Sequence, residues 1–295
     1  ANDFNKGIAA RAYDRLLEDK AQPLIDKIIN IAGEPGSVFK VPVSMGLLAN
    51  GYIDISTAVN SQGCIKVGNS DFCEYGKREL GNINLNSAIA QSSNIYFCRG
   101  GIKGYRNYSQ MLESLRQIGI NRSIEFPFIQ SVKGTINSSD KFYGDYCNTV
   151  IGQGQTQTTP LQLLNIINSL FVGKIYDQEV GYSFTPVDKE IQAAPQPEFD
   201  VLISGLKAAV DTGTARRLSA NSLDVYAKTG SAETFRFLSG RYVDSVHGWV
   251  IGKFTYQGDD YSFVTVVRHG GGSFAALDVM ESFFSCIDQG KKLCL

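Results

Sequence analysis

Apolar positions recur along this chain at two spacings, and the change between them divides the sequence. A run from 37 to about 50 keeps the helical spacing and opens directly after the turn Gly33-Glu34-Pro35-Gly36. The same spacing predicts helices over 84–98, 106–118, 159–171 and 197–211, with a loop between the first two runs. Residues 1–33 are polar and helical only in places. From about 223 the pattern alternates or turns β-rich, over 223–227, 247–256 and 261–268, with Gly258-Asp259-Asp260 as a turn between the last two. A final helical run covers 274–288. Helices in the middle and a small antiparallel sheet gathered late predict one α/β (α+β) domain over 1–295, its sheet packed between helices.

Composition narrows the class. A length of 295 residues with 43% hydrophobic and 19% charged side chains is that of an ordinary globular enzyme. The formal net charge of −1 offers no bulk attraction for nucleic acid. No window approaches 18 consecutive apolar residues, and no signal-peptide pattern opens the chain. An extracytoplasmic protein would therefore be represented here by a fragment. Six cysteines include two close pairs, Cys64 with Cys73 and Cys286 with Cys294. Such pairs fit an oxidising compartment, although buried thiols also serve as small hydrophobes. A Cys64–Cys73 disulfide is expected, in a loop outside the motifs described next, so that its reduction would affect melting more than chemistry. Two histidines and no zinc-like cysteine spacing argue against a metal, and no cofactor is expected.

Three short motifs bear on chemistry: Ser37-Val38-Phe39-Lys40, Ser92-Ser93-Asn94 and Lys228-Thr229-Gly230. Each alone is weak. A serine three residues before a lysine also occurs at Ser138 with Lys141 and at Ser204 with Lys207, and Ser219 precedes Asn221 by two. A lone Ser37 would be a plain helix cap, and a lone Lys228 a solvated charge. Context selects Ser37, which alone follows a Pro-Gly turn and opens an apolar helix. Residues three apart share a helix face, so Lys40 can reach the Ser37 hydroxyl. A buried lysine can take the serine proton without any histidine. Ser92 can relay that proton to a leaving amine, and Asn94 can bond both a substrate amide and the Lys40 neighbourhood. Lys228 offers a cation to a substrate carboxylate, and Thr229 a hydroxyl. The strand after Gly230, including Ser231, can donate an N–H to an oxyanion together with that of Ser37. Gly230 would let substrate backbone approach closely.

The motifs together resemble the transpeptidase domain of class B penicillin-binding proteins, most similar to the elongation type. Pro35-Gly36-Ser37-Val38-Phe39-Lys40, Ala90-Gln91-Ser92-Ser93-Asn94 and Lys228-Thr229-Gly230-Ser231-Ala232-Glu233 carry the likeness. Asn2-Asp3-Phe4-Asn5, Ile151-Gly152-Gln153-Gly154, Thr159-Pro160-Leu161-Gln162, Gly213-Thr214-Ala215 and His247-Gly248-Trp249-Val250-Ile251-Gly252 extend it over nearly the whole chain. The resemblance implies the serine β-lactamase and penicillin-binding fold, with Ser37, Lys40, Ser92 and Asn94 catalytic and Lys228, Thr229, Gly230 and Ser231 on the substrate. It implies cross-linking of peptidoglycan stem peptides through D-Ala–D-Ala, and acylation by β-lactams. Family members are anchored in the cytoplasmic membrane, face the periplasm or cell exterior, and work beside a glycosyltransferase of the elongation machinery. The two strands, pedestal domain and anchor that precede this region in such proteins are not found in the sequence given. The rival readings are a serine β-lactamase and a non-turnover β-lactam sensor or scaffold. Gln153-Gly154 and Thr159-Pro160-Leu161-Gln162 favour the transpeptidase.

Overall fold

A computed structural model describes residue 4 and residues 7–19, 22–104, 108–124, 131–136, 143–176, 190–193, 196–238 and 240–290. Helices α1 (Ala10–Glu18) and α2 (Lys27–Asn30) lead to a 3-10 turn, Gly36–Phe39, and then to α3 (Lys40–Ala49). The regular helix thus begins at Lys40, not at Ser37 as its spacing predicts. Pro42 falls in the first turn, where a missing N–H is harmless because those amides have no intrahelical partner. Every α3 residue from Lys40 to Leu48 is buried. A helix enclosed on all sides is the centre of a core, not a surface element.

Between α3 and the next helix, two short antiparallel pairs replace the expected loop. Strand β1 (Val59–Gln62) pairs with β4 (Glu79–Ile83), and β2 (Cys64–Val67) pairs with β3 (Ser70–Cys73). Runs this short and polar leave no readable alternation. The single helix expected over 84–98 is two, α4 (Leu85–Gln91) and α5 (Asn94–Gly104). Ser92 takes a left-handed backbone (φ 60°, ψ 43°), which ends α4. The Ser93 hydroxyl accepts from Tyr96 N at 3.0 Å and caps α5.

Helix α6 (Tyr108–Gln117) lies where the pattern predicts, whereas α7 (Tyr143–Val150) was not anticipated. Helix α8 (Pro160–Val172) starts with a capping box between Thr159 and Gln162 and with proline in its first turn. A small hairpin, β5 (Lys174–Tyr176) with β6 (Glu190–Ala193), precedes α9 (Gln196–Asp211). A second 3-10 turn, Arg216–Ala220, leads into the main sheet, β7 (Asp224–Leu238), β8 (Arg241–Tyr256) and β9 (Asp259–Val267), and the chain continues into α10 (Ser273–Asp288).

The main sheet is antiparallel in the order β7-β8-β9. Side chains alternate across it, as the pleat requires. Trp249 and Ile251 join a core with α3, α4 and α8. Val250 and Phe254 face the other way, onto Leu277, Met280 and Phe284 of α10. Helices therefore cover both faces, the layering the sequence predicts. Burying each of these large apolar side chains is worth about 1.5–3 kcal/mol. Strands β7 and β8 run longer than expected, and their distal ends carry exposed Phe235, Phe237 and Tyr242.

Disulfides staple the helical part. Cys64 pairs with Cys73, as expected, at directly opposed positions of β2 and β3. Cys98 of α5 pairs with Cys147 of α7, 49 residues away, a link no local spacing announces. Closing a loop of that length is worth about 4 kcal/mol in the chain-entropy model. Cys286 is also disulfide-bonded; Cys294 lies outside the described residues. Among the described residues, no helix is long and apolar enough to cross a membrane.

Candidate active site

The three motifs, separated by up to about two hundred residues, meet where the Pro35-Gly36-Ser37 turn crosses the edge of β7. Gly36 has φ +57°, and a side chain there would run into the Ser231 carbonyl oxygen. A Cβ at Gly230 would stand 2.8 Å from Pro35 O and 3.0 Å from Val38 N. The absence of a side chain at Gly230 therefore makes room for the Pro35-Gly36-Ser37 turn packed over it. Below the turn, Gly36 N donates to Gly152 O at 2.9 Å, and Trp249 Nε1 donates to Glu34 O at 2.9 Å. Glu34 also accepts from Gln157 Nε2 at 3.1 Å. The serine thus sits on a turn fixed from three sides.

Ser37 is partly exposed, and Lys40 behind it is 0% exposed. Lys40 Nζ lies 3.0 Å from Ser37 Oγ, 2.8 Å from Ser92 O, 3.2 Å from Ser92 Oγ and 2.8 Å from Asn94 Oδ1. Ser92 O and Asn94 Oδ1 can only accept. A neutral amine that donates to both has its lone pair left for the Ser37 hydroxyl. Burial favours this neutral form and lowers the Lys40 pKa to about 7, partly opposed by the charge of Glu74. The amide orientation of Asn94 is fixed from behind, since its Nδ2 donates to Cys73 O at 3.0 Å.

Lys228 does not point where the sequence reading put it. It is 0% exposed, and its Nζ donates to Ser92 Oγ and to Thr229 O, both at 2.9 Å. Burial, and then the charge of Lys40, hold its pKa well below the ordinary value. Buried behind Ser92 and engaged by two acceptors, Lys228 is poorly placed to reach a substrate carboxylate. Ser92 Oγ instead bridges the two lysines. The Thr229 hydroxyl donates to that of Thr214 at 2.7 Å, and Ser231 Oγ accepts from Ser273 N at 2.9 Å. In an antiparallel strand the N–H and C=O of one residue share an edge. Ser231 O faces Gly36, so Ser231 N–H faces the Ser37 turn as well.

The decoys separate cleanly. Ser204 Oγ is bonded to Val201 O and Asn86 Nδ2, while Lys207 pairs with Asp224. Ser219 Oγ donates to Arg216 O. Ser138 and Lys141 lie outside the described residues. Two contributors had no role assigned from the sequence. Thr214 was marked only as part of Gly213-Thr214-Ala215. Glu74, directly after Cys73, accepts from Asn94 N and Ile95 N. The expectation that the cysteine hairpin lies apart from the chemistry is corrected by this contact and by the Cys73–Asn94 bond.

Comparison with known proteins agrees with this geometry. The peptidoglycan D,D-transpeptidase MrdA of Acinetobacter baumannii is 23% identical over 308 residues, covering 94% of this chain and 46% of its own length. PbpA of Mycobacterium tuberculosis, also a peptidoglycan D,D-transpeptidase, is 23% identical over 290 residues, covering 92% of this chain and 57% of its own. The chain thus spans about half the length of the curated relatives it matches. The penicillin-binding protein PBP2 of Helicobacter pylori, solved in complex with MreC, superposes with a TM-score of 0.80 at 25% identity, over 96% of this chain and 55% of that one. A ceftriaxone acyl-enzyme of penicillin-binding protein A from M. tuberculosis shares the fold, with a TM-score of 0.73 at 20% identity over 91% of this chain and 63% of that one. The family model for the penicillin binding protein transpeptidase domain matches residues 3–287, and the chain belongs to that family.

Proposed function

We propose that this domain is a peptidoglycan D,D-transpeptidase that forms an acyl-enzyme on Ser37, and that β-lactams acylate the same oxygen. One observation carries the reading: Lys40 Nζ stands 3.0 Å from Ser37 Oγ with two pure acceptors already taking its hydrogens. Lys40 removes the hydroxyl proton as Ser37 attacks the carbonyl of a D-Ala–D-Ala bond. The amides of Ser37 and Ser231 face the developing oxyanion, a contribution of about 3–4 kcal/mol per donor. Ser92 Oγ passes the proton to the leaving D-alanine amine, and the amine of a second stem peptide then takes the acyl group. Thr229 and Ser231, two apart on one face of β7, are the candidates to hold the terminal carboxylate. Asn94 keeps one amide hydrogen for the substrate backbone.

On this reading the whole protein sits on the outer face of the cytoplasmic membrane and acts with a glycosyltransferase and the elongation machinery. Cysteines joined as disulfides support an oxidising compartment. The complex of the H. pylori relative with MreC supports a protein-bound setting. A stem pentapeptide ending in D-Ala–D-Ala, mixed with a second stem peptide bearing a free amine, should yield D-alanine and a cross-linked dimer. Normal β-lactam labelling without D-alanine release would favour a sensor instead.

The position of Lys228 gives a separate expectation. Lys228→Ala removes a donor to Ser92 Oγ, so acylation should slow roughly ten- to a hundredfold, at about 1.4 kcal/mol per decade. The loss should be the same for a β-lactam and for an ester analogue lacking the carboxylate. A loss confined to the carboxylate-bearing ligand would return Lys228 to a direct substrate contact.

A further inference from the structure

We infer that Glu74 is a positioning residue for acylation: from the end of the Cys64–Cys73 hairpin, its carboxyl group locks the Ser92-Ser93-Asn94 turn against Lys40. This rests on the reading of Ser37 as nucleophile and Lys40 as base. Glu74 is 5% exposed and collects four donors. Its Oε1 accepts from Ser61 Oγ at 2.9 Å, from Ser93 Oγ and from Ile95 N at 3.3 Å, and its Oε2 accepts from Asn94 N. A buried carboxyl group is tolerated only when its oxygens are satisfied in this way. Two of the donors are the first amides of α5, where the helix favours negative charge.

The connection to chemistry runs through consecutive residues. Cys73 O holds the side-chain amide of Asn94, and Glu74 holds its backbone amide. With Nδ2 tied to a carbonyl, Oδ1 can point only at Lys40. The hairpin keeps this pair in place through the disulfide and through Glu74 N, which donates to Gly63 O at 2.8 Å. Lys40 is faced by Ser37 from its own turn, by Ser92 and Asn94 from the α4–α5 junction, by the Phe97 ring of α5 at 5.8 Å and by Lys228 beyond Ser92. The charge acting on it is that of Glu74, which raises its pKa against the effect of burial. When Lys40 takes the serine proton, Glu74 stabilises the ammonium that forms.

Glu74→Gln keeps the size but cannot accept at both ends or carry charge. Acylation by a reporter β-lactam should slow roughly ten- to a hundredfold, the range for lost hydrogen bonds to a charged group. The rise of acylation rate with pH, expected near 7 in the wild type, should move to lower pH, because the neutral base persists further into acid. A role confined to helix capping would slow the reaction without moving that midpoint. Glu74→Asp keeps the charge but not the reach, so its rate should fall less and its midpoint stay. If Glu74→Gln does not fold, Cys64→Ser with Cys73→Ser decides: acylation should slow with the midpoint unmoved. Wild-type rate and wild-type pH profile in Glu74→Gln, or an unslowed rate in the double serine variant, would overturn the inference. Failure of the wild-type chain to label at Ser37 would instead remove the reading on which it rests.

Discussion

Alanine at position 37 should leave a folded domain that forms no covalent adduct with a β-lactam, while the wild-type chain carries one adduct on the peptide containing Ser37. The expectation follows from access as much as from chemistry. Ser37 is the partly exposed hydroxyl beside a base, whereas Ser204 is bonded to Val201 O and Asn86 and its lysine is paired with Asp224. Lys40→Met fills similar space without a basic nitrogen. It should cost acylation about 10²–10⁴-fold, the usual contribution of a positioned base. In the wild type the rate should climb with pH to a plateau above about 7, since burial holds Lys40 there and only its neutral form can accept a proton. Mass spectrometry of the labelled digest and stopped-flow acylation across pH measure both. An adduct on Ser204, or undiminished labelling of Ser37→Ala, would sink the assignment.

The second large effect concerns persistence. A chromogenic β-lactam should release about one equivalent of product per enzyme and then stop, because deacylation needs a base that holds water against the ester. Of the glutamates between Asn94 and Lys228, Glu113 and Glu198 are not placed to supply one. Glu113 is exposed on α6, and Glu190 lies in the small β5–β6 hairpin. Glu198 lies near the start of α9, whose far end meets Ala90 through Thr214 N; at 1.5 Å per residue that is roughly 20 Å away. Glu125 and Glu179 are outside the described residues. Glu74 touches the Ser92-Ser93-Asn94 turn, but Ser61, Ser93, Asn94 and Ile95 occupy its oxygens. Sustained release at several turnovers per second would point to a β-lactamase.

These particulars mark how far the sequence could be read. Ser37 and Lys40 were legible because their relation is local: three residues on one turn, after a Pro-Gly break that the decoys lack. The order of the motifs carried the fold class with them. What could not be read was direction and distance in space. Alternation places Lys228 and Gly230 on one face of a strand, but not which neighbour crosses that strand. The break after Gln91 hid inside a good helical pattern, because a left-handed serine leaves no compositional trace. Glu74 and the Cys98–Cys147 bond depend on segments roughly 20 and 49 residues apart meeting in the folded state. No periodicity reports such contacts.

The backbone of Ser92 limits what evolution can do at that position. At φ 60° a residue with a side chain costs about 1–2 kcal/mol relative to the right-handed form. Glycine would relieve the conformation but delete the oxygen shared by Lys40 and Lys228. Threonine would keep an oxygen, yet a branched Cβ is the least tolerated shape there. Alanine would lose the oxygen and keep the strain. None of these three exchanges both relieves the backbone and keeps the shared oxygen. Glycine, threonine and alanine are thus each worse than serine at position 92, which ties the left-handed turn between the two helices to the hydroxyl that joins the two lysines.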